Sequence, residues 1–377
     1  VEINEDLADF PVCLSLMLDP VKVQLNAEDV VFIAADGSTQ LSHEIESYND
    51  TSGELVAWVN VSELSSIVDT EFFMYYGNAT CGAQENPGGV WDSRYAGVWH
   101  LDESGDGSVD EFVDSSVSGN DGQGGDGTSS MVPGLVDGLF FGGQDFDGVD
   151  DFIGFGSGVG SDLQGVSAFS ASFWFKNDDV PVSGMNQYML NLNNGVNTAF
   201  GMRIYNDGLN IGGRSQSSDG WQNVGSSGFS DSDSWHHAVG VLDFTEKTMT
   251  FYLDGVSHLS KTGITGWGSD TFSGIGDFKM SLSYDGVLDE VCMVKGVLNE
   301  SWISALYCNQ QSPEDFYSVG DEFSLEYPLV VDESPVDGAD YVSTSLNNLS
   351  FKLVDYQDDT MSYTVSTVPD IIHGPVS

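Results

Sequence analysis

The feature that most constrains the fold is a series of short segments in which apolar and polar residues alternate. In FSASFWFK, residues 169–176, the odd-numbered positions share one face of a strand and the even-numbered positions share the other. In TMTFYLDG, residues 248–255, a similar alternation ends in the turn pair Asp254-Gly255. Turns rich in Gly, Asp, Asn and Ser separate these segments, and the chain contains 45 Gly. The pattern predicts an all-β protein built from antiparallel β-sandwiches.

One helix is predicted near the end of the third quarter of the chain. Asn299 is a suitable N-cap residue, and Trp302, Ile303 and Leu306 form an apolar stripe with helical spacing.

Length and charge narrow the class of protein. A chain of 377 residues predicts two or three domains. The formal net charge of −49 argues against nucleic acid and anionic membranes as partners, because their phosphates would be repelled. Adaptation to high salt, cation binding and solubility at a crowded cell surface all remain explanations of this acidity. The sequence contains no apolar run long enough for a membrane span and no signal peptide, and we expect it to be part of a longer polypeptide.

Cysteines and glycosylation triplets suggest an extracellular protein. Two disulfides within domains, Cys13–Cys81 and Cys292–Cys308, are the preferred arrangement of the four cysteines, with four free thiols as the alternative. Five Asn-X-Ser/Thr triplets are candidate glycosylation sites. They begin at Asn49, Asn60, Asn78, Asn299 and Asn348.

The first 86 residues resemble a known domain family. Asp29–Phe32, HEIESYN (43–49), AWVNV (57–61) and MYYGN (74–78) occur in an order and spacing similar to the DUF2341 domain of archaeal and bacterial surface proteins. The resemblance implies a small β-sandwich over residues 1–86 and a surface location. It implies no particular chemistry.

Residues 90–320 carry a second resemblance. GVWHLDE, GLFFGGQDFDGVDDFIGFG, FSASFWFK, WHHAVGVLDFTEKTMTFYLDG and GVLDEVCMVKGVLNESWISALYCNQ follow one another as in laminin-G-like domains of the concanavalin A-like lectin/glucanase superfamily. The resemblance implies a two-sheet jelly roll. Residues 324–377 resemble the first strands of an immunoglobulin-like or fibronectin-like domain, with NLSFKLVD and MSYTVST predicted to form a hairpin.

Carboxylate pairs were the first candidates for catalysis. Glycosidases need two carboxyl groups on the same side of a sugar, and the E-x-D-x-x-E pattern of the glucanase branch is missing here. Asp289 and Glu290 are adjacent, as are Asp150 and Asp151, so a regular strand sends the members of each pair to opposite faces. Only a bulge would bring them together. The sequence therefore favours a protein without enzymatic activity.

Histidines are predicted to have structural roles. His236 and His237 are adjacent in WHHAVG, so a strand directs them to opposite faces. His43 and His100 are single histidines in strand-like runs, and for both a structural role is favoured.

Calcium is the cofactor that the second resemblance implies, because this superfamily often holds Ca²⁺ at the edge of its sandwich. Ca²⁺ takes six to eight oxygen ligands from carboxylates, amides and carbonyl groups. Solvated turn carboxylates are the alternative interpretation of these acids. The candidate ligands are Asp114, Asn120, Asp147, Asp150, Asp151 and Asp289.

Carbohydrate binding requires aromatic side chains that can stack on a sugar. Trp174 and Tyr252 fall on the polar faces of their strands, and Trp221 and Trp267 lie in loops rich in Gly and Ser. The sequence thus predicts an extracellular lectin-like surface protein that acts in adhesion, with glycans or other surface proteins as partners. A self-associating subunit of a surface layer, sheath or filament is the alternative, and a glycoside hydrolase is a more distant one.

Overall fold

The computed structural model describes residues 3–193, 197–274, 276–322, 329–334 and 350–354. The chain forms two compact units, Val1–Tyr317 and Ser318–Ser377. All strand pairs in the described residues are antiparallel, which confirms the predicted fold class.

The N-terminal region is a small sandwich of two three-stranded sheets, in the orders β1-β5-β4 and β3-β2-β6. Side chains from both sheets, including Phe10, Phe32 and Val59, form one core and are fully buried. The strands are β1 (Leu7–Met17), β2 (Val31–Ala34), β3 (Gln40–Leu41), β4 (His43–Tyr48), β5 (Glu54–Leu64) and β6 (Phe72–Tyr75).

The second region, which we call the lectin-like sandwich after the resemblance given above, is larger and consists of an eight-stranded and a seven-stranded sheet. The eight-stranded sheet contains β7 (Tyr95–Trp99), β9 (Gly134–Asp137), β10 (Gly142–Asp147), β12 (Ala168–Asn177), β17 (His236–Asp243), β18 (Thr248–Leu253), β19 (Val256–Lys261) and β21 (Asp285–Val294). The seven-stranded sheet contains β8 (Gln123–Gly124), β11 (Ile153–Gly154), β13 (Asn186–Asn193), β14 (Thr198–Tyr205), β15 (Gly208–Gly213), β16 (Gln222–Gly225) and β20 (Asp277–Leu282).

The core between these two sheets follows the predicted alternation. Phe169, Phe173 and Phe175 of β12 are fully buried in it, opposite Phe200 and Ile211 of the other sheet. Buried aromatic side chains of this size supply much of the hydrophobic stabilisation of a sandwich.

Helices are short except for the predicted one. The α-helices are α1 (Pro87–Val90), α2 (Gly158–Asp162), α3 (Glu300–Gln311) and α4 (Pro313–Phe316), and 3-10 turns occur at Leu25–Ala27, Gly125–Gly127 and Ser129–Met131. The Oδ1 of Asn299 accepts a hydrogen bond of 2.8 Å from the backbone N–H of Trp302, which confirms the predicted N-cap. No helix among the described residues has the length and apolar character needed to cross a membrane.

A third apolar cluster joins the N-terminal sandwich to the lectin-like sandwich. It brings Cys13 and Trp58 of the first sandwich against Val239 and Val294 of the eight-stranded sheet, with Ile303 of α3 beside them. The outer face of the eight-stranded sheet is therefore covered by the first sandwich and by α3. Strand alternation predicted that face as polar and gave no indication of what covers it.

The C-terminal unit contains a two-stranded sheet of β22 (Leu329–Ser334) and β23 (Ser350–Val354). The MSYTVST segment predicted to pair with NLSFKLVD lies outside the described residues. The immunoglobulin-like domain stays a prediction.

The disulfide prediction is wrong for this structure, in which all four cysteines are free thiols. Cys13 is fully buried in the apolar cluster between the sandwiches, whereas Cys81 lies in a loop where its carbonyl group accepts from Gln24. Cys292 lies on β21 and Cys308 on α3.

Candidate functional site

Two of the four aromatic residues predicted to bind sugar are core residues. Trp174 is 1% exposed, and its indole N–H donates to Oε1 of Gln310 on α3. Trp267 is 3% exposed and donates to the carbonyl oxygen of Gly213 at 3.0 Å. Neither indole can reach a ligand, so these two predictions are wrong. Trp174 does lie on the second face of β12, but α3 covers that face.

The other two predicted residues differ in their surroundings. Tyr252 is half-buried and packs against the cluster that joins the two sandwiches. Trp221 lies just before β16, at the outer face of the seven-stranded sheet. Trp221, which is also half-buried, is the one of the four that lies with other aromatic rings on an outer sheet face.

Arg203 organises this surface. Its guanidinium group stacks over the rings of Tyr188, Tyr205 and Trp221, at 4.9, 4.4 and 5.9 Å from their centroids. It also donates to Oδ1 of Asn186 at 2.8 Å and to Oδ1 of Asn210 at 3.2 Å. We call this set of six residues the Arg203 face: Asn186, Tyr188, Arg203, Tyr205, Asn210 and Trp221.

Two glycines leave space for the rings of Trp221 and Tyr188 against the sheet. A Cβ atom on Gly212 would be 2.2 Å from the ring of Trp221, and one on Gly201 would be 2.5 Å from the ring of Tyr188. Any larger residue would displace these rings. The two glycines therefore set the orientation of the aromatic surface.

Unused hydrogen-bond donors lie on the same side of the sheet. Within the described part of the chain, Nε1 of Trp221 and Nδ2 of Asn191 are buried and have no partner. Asn191 is only 2% exposed and faces the same side as Gly201, its partner in the strand ladder. Buried donors in native proteins nearly always have a partner, so an ordered water molecule is the partner expected for each of them.

The predicted calcium ligands fall into three separate groups. Asp114 is 6% exposed, and its oxygens already accept from the backbone N–H groups of Val98, Ser116 and Asn120. The side chain of Asn120 donates to the carbonyl oxygen of Ala96. These two residues therefore stabilise their own loop.

Asp147, Asp150 and Asp151 lie close together in the turn after β10, with one ligand oxygen from each lying within 4.8 Å of the others. Oδ1 of Asp147 accepts from the backbone N–H of Val149 at 2.8 Å, as in a tight turn. Burial raises the pKa of Asp151, while hydrogen bonds to backbone N–H groups, the one from Val149 foremost, lower that of Asp147.

Asp289 lies apart from both groups. Its arrangement with Glu290 corrects the prediction that the two side chains point to opposite faces of a strand. Strand β21 has one extra residue between Asp289 and Cys292 relative to β12, and Glu290 has a left-handed φ of 49°. This bulge places the side chains of Asp289 and Glu290 on the outer side of the sheet together, instead of on opposite faces. Asp289 accepts from the backbone N–H of Leu139 at 2.6 Å.

Glu290 belongs to a buried cluster that the sequence did not predict. Its Oε1 is 3.0 Å from Nδ1 of His100, and Oε2 of Glu46 is 3.6 Å from the same nitrogen. Nε2 of His100 is 3.3 Å from Oε2 of Glu44. We call Glu44, Glu46, His100 and Glu290 the His100 cluster. Both glutamates of β4 come from the N-terminal sandwich, so the cluster lies where the two sandwiches meet.

The pKa values in this cluster reflect burial and close approach. Burial, followed by repulsion from Glu290, raises the pKa of Glu46 to about 8. Burial also works against the charged form of His100, but the surrounding carboxylates outweigh it and raise the pKa well above its usual value. Burial raises the pKa of Glu290 despite the attraction of His100.

Part of this cluster could have been found from sequence. Glu44 and Glu46 are separated by one residue in HEIESY, a spacing that places two acids on one side of a strand. His100 could not be connected to them, because the contact joins residues 56 positions apart from different sandwiches. Arg203 likewise gave no signal beyond being one of only ten basic residues.

The candidate glycosylation sites differ in accessibility. Asn49, Asn78 and Asn299 are exposed. Asn60 is half-buried in β5, and its amide nitrogen donates to the carbonyl oxygen of Gly89 at 2.8 Å, so it is a poor acceptor. Asn348 lies outside the described residues.

Comparison with known families agrees with the architecture. Residues 146–304 match the concanavalin A-like lectin/glucanases superfamily, in its laminin-G-like form. Residues 26–114 match the domain of unknown function DUF2341. The chain thus carries a DUF2341 region followed by a concanavalin A-like region. This is the predicted order, and it confirms both resemblances. No curated protein matches the chain.

Solved structures resemble the chain only distantly. The botulinum neurotoxin serotype D binding domain is 12% identical with a TM-score of 0.43, over 60% of this chain and 53% of that one. Domain 4 of AbnA, a GH43 extracellular arabinanase from Geobacillus stearothermophilus solved with arabinotriose, is 16% identical with a TM-score of 0.40, over 57% and 98%. The chain spans about half the length of the neurotoxin structures that it matches. Similarity at this level carries no functional information.

Proposed function

We propose that this protein is a non-catalytic, extracellular carbohydrate-binding protein whose ligand binds on the Arg203 face. The observation that carries the proposal is the group of three aromatic rings around one guanidinium, two of which pack directly over glycines of the sheet. Sugars bind proteins through such aromatic faces combined with a few oriented polar groups.

Carbohydrate binding also requires a few oriented polar groups beside the aromatic rings. Asn186 presents an exposed amide beside Arg203, the buried Asn210 holds the guanidinium in place, and Tyr205 is 45% exposed, so a ligand can reach the centre of the surface. Adhesion to glycans of a cell surface is the role that this binding would serve.

A hydrolytic role is less favoured by the position of the paired carboxyl groups. Asp289 is 1% exposed and Glu290 is 8% exposed, and both lie beneath the joint between the two sandwiches. A glycosidase must place a sugar between its two acids, which this burial opposes.

Calcium remains part of the proposal, at the Asp147–Asp151 turn. The three carboxylates there offer oxygens within 4.8 Å of one another, and two of them are exposed. If Ca²⁺ binds, its addition raises the melting temperature of the wild-type protein. The Asp147→Asn variant then loses that rise, and an equal rise in both proteins would contradict this location.

Binding of the full chain to an array of neutral and acidic oligosaccharides tests the proposed function. Wild-type protein is expected to bind at least one glycan, and both Trp221→Ala and Arg203→Ala to reduce binding at least tenfold. Trp235→Ala is the matched control, because Lys176 lies over the Trp235 ring at 5.3 Å in a similar pair on the other sheet. The proposal fails if no glycan binds, or if all three variants bind like the wild type.

A further inference from the structure

Three members of the His100 cluster, Glu44, Glu46 and His100, line a cavity of about 200 Å³ at the joint between the two sandwiches, and Glu290 contacts His100 from outside this lining. Glu44 and Glu46 reach it from β4, His100 from the residue after β7, and Asp102 and Glu103 from the segment that follows. The cluster is separate from the Arg203 face, and an inference about it does not depend on the proposed carbohydrate binding.

The distances in the cluster are those between neighbouring ligands of a small cation. A first-row divalent cation lies about 2.0–2.2 Å from its nitrogen and oxygen ligands, which puts adjacent ligand atoms roughly 2.8–3.6 Å apart in octahedral or tetrahedral geometry. Nδ1 of His100 is 3.0 Å from Oε1 of Glu290 and 3.6 Å from Oε2 of Glu46. All three ligand atoms lie within 4.8 Å of one another.

The side chains that contact these three residues orient them through hydrogen bonds, as the outer hydrogen-bond partners of metal ligands do. Nε2 of His100 can donate to Oε2 of Glu44 at 3.3 Å, so loss of the proton on Nδ1 would leave the lone pair of that nitrogen directed toward Glu46 and Glu290. Oε2 of Glu46 accepts from the indole N–H of Trp58 at 2.7 Å. Such carboxylate and indole contacts fix the orientation and the tautomer of metal ligands.

Glu44 is itself held in place, which makes its contact with His100 a fixed feature. Its Oε1 accepts from the hydroxyl group of Ser115 at 2.6 Å, and its Oε2 accepts from the indole N–H of Trp91. Its side chain is only 10% exposed.

The buried carboxylates around His100 also favour a bound cation. Glu44, Glu46 and Glu290 surround one imidazole, and their side chains are 10%, 3% and 5% exposed. Oε2 of Glu103 is buried beside them without a hydrogen-bond partner in the described part of the chain. Buried carboxylates without sufficient counter-charge are unfavourable unless they bind protons or a metal.

We propose that Glu46, His100 and Glu290 bind one first-row divalent cation of the Zn²⁺ or Mn²⁺ type, which ties the N-terminal sandwich to the lectin-like sandwich. The imidazole ligand favours Zn²⁺ over Ca²⁺ and Mg²⁺, and the two carboxylate ligands also suit Mn²⁺. Binding releases the proton of Nδ1 and the carboxyl proton of Glu46 to solvent and leaves the other ring proton on Nε2, donated to Glu44.

Metal content and affinity of the full chain test the proposal. Protein stripped with EDTA and dialysed against Zn²⁺ or Mn²⁺ is expected to retain one equivalent, measured by inductively coupled plasma mass spectrometry, with a raised melting temperature. Ca²⁺ at the same concentration is expected not to displace it. Absence of a retained equivalent of either metal overturns the proposal.

Three variants locate the ion. Glu46→Gln is close in shape and retains an acceptor for Trp58, so the protein is expected to fold and to lose the bound equivalent. Glu44→Gln leaves the ligands intact but removes the partner of His100, so affinity is expected to fall 10–100-fold. Asp147→Asn, in the separate acidic turn, is the control and is expected to bind like wild type. Retention of the metal by Glu46→Gln, or its loss from Asp147→Asn alone, overturns the assignment.

Discussion

Replacement of Trp174 by alanine tests whether the outer face of the eight-stranded sheet is an internal surface. The indole is 1% exposed between β12 and α3, and it stacks on Tyr307 at 5.7 Å and on His237 at 5.1 Å. If α3 were detached from the sheet, the side chain would be at the surface and its loss would change little.

The magnitude follows from burial and from one hydrogen bond. Truncation of a buried tryptophan to alanine costs about 3–5 kcal/mol, through lost burial and the cavity that remains. Oε1 of Gln310, which is 6% exposed, also loses its donor, at a cost of about 1–3 kcal/mol. We therefore expect Trp174→Ala to lower the free energy of unfolding by at least about 4 kcal/mol.

Urea unfolding followed by far-ultraviolet circular dichroism measures this change. With a slope of about 3 kcal/mol/M, a loss of 4 kcal/mol lowers the midpoint by roughly 1.3 M. Trp221→Ala, at the half-exposed Arg203 face, is the matched control and is expected to cost roughly 1–2 kcal/mol. Similar midpoints for Trp174→Ala and Trp221→Ala would refute the conclusion that α3 covers the outer face of the eight-stranded sheet. A loss below about 1 kcal/mol for Trp174→Ala would refute it as well.

Two further predictions concern the same joint. Burial lowers the pKa of His237 to about 3, below the unfolded value near 6.5, so its stabilising contribution is complete above pH 6.5 and is lost as pH falls toward 3. Between pH 7 and pH 5 the wild type should lose about 2 kcal/mol more than His237→Gln in urea unfolding, and an equal loss would contradict this. Asn309 is fully buried and pairs through its side chain with both backbone groups of Cys13 at 2.7 and 2.9 Å, so Asn309→Ala should cost about 2–5 kcal/mol. Tyr317→Phe, which removes a similar but exposed pair on Ser15, should cost less than about 1 kcal/mol in the same assay, and equal costs would argue against this docking.

Local sequence was sufficient for the faces of the strands. In β12, the alternation correctly assigned Phe169 and Phe173 to one face and Trp174 to the other, because side chains on a strand repeat every two residues. The N-cap at Asn299 was equally local, since it depends on three neighbouring residues.

The exposure of a face could not be read in the same way. Trp174 was predicted to bind sugar because its face carries serines and a lysine, but α3 packs on it from more than 130 residues away. Exposure depends on which distant element docks, and the alternation of a single strand carries no information about that. The same reason explains why Trp267, in a loop rich in glycine, proved to be a core residue.

β-Bulges are a second reason why the sequence did not predict this site. A single extra residue in β21 moves Glu290 to the side of Asp289, which a count of alternating residues excludes. Between Ile45 and Ser47 a similar irregularity makes Glu46 an extra residue relative to β5. Both bulges lie in the His100 cluster, and the one in β21 places Glu290 on a side of the sheet that regular alternation does not predict.

The joint between the sandwiches also determines which surface is available to a ligand. A sandwich has two outer faces, and here the face of the eight-stranded sheet packs against the N-terminal sandwich and α3. In the described part of the chain, the Arg203 face lies on the opposite sheet, where Tyr205 is 45% exposed. A cation in the His100 cluster would therefore stabilise the joint without touching the proposed carbohydrate surface. Loss of metal should loosen the contact between the sandwiches and leave glycan binding unchanged, so the two proposals can fail independently.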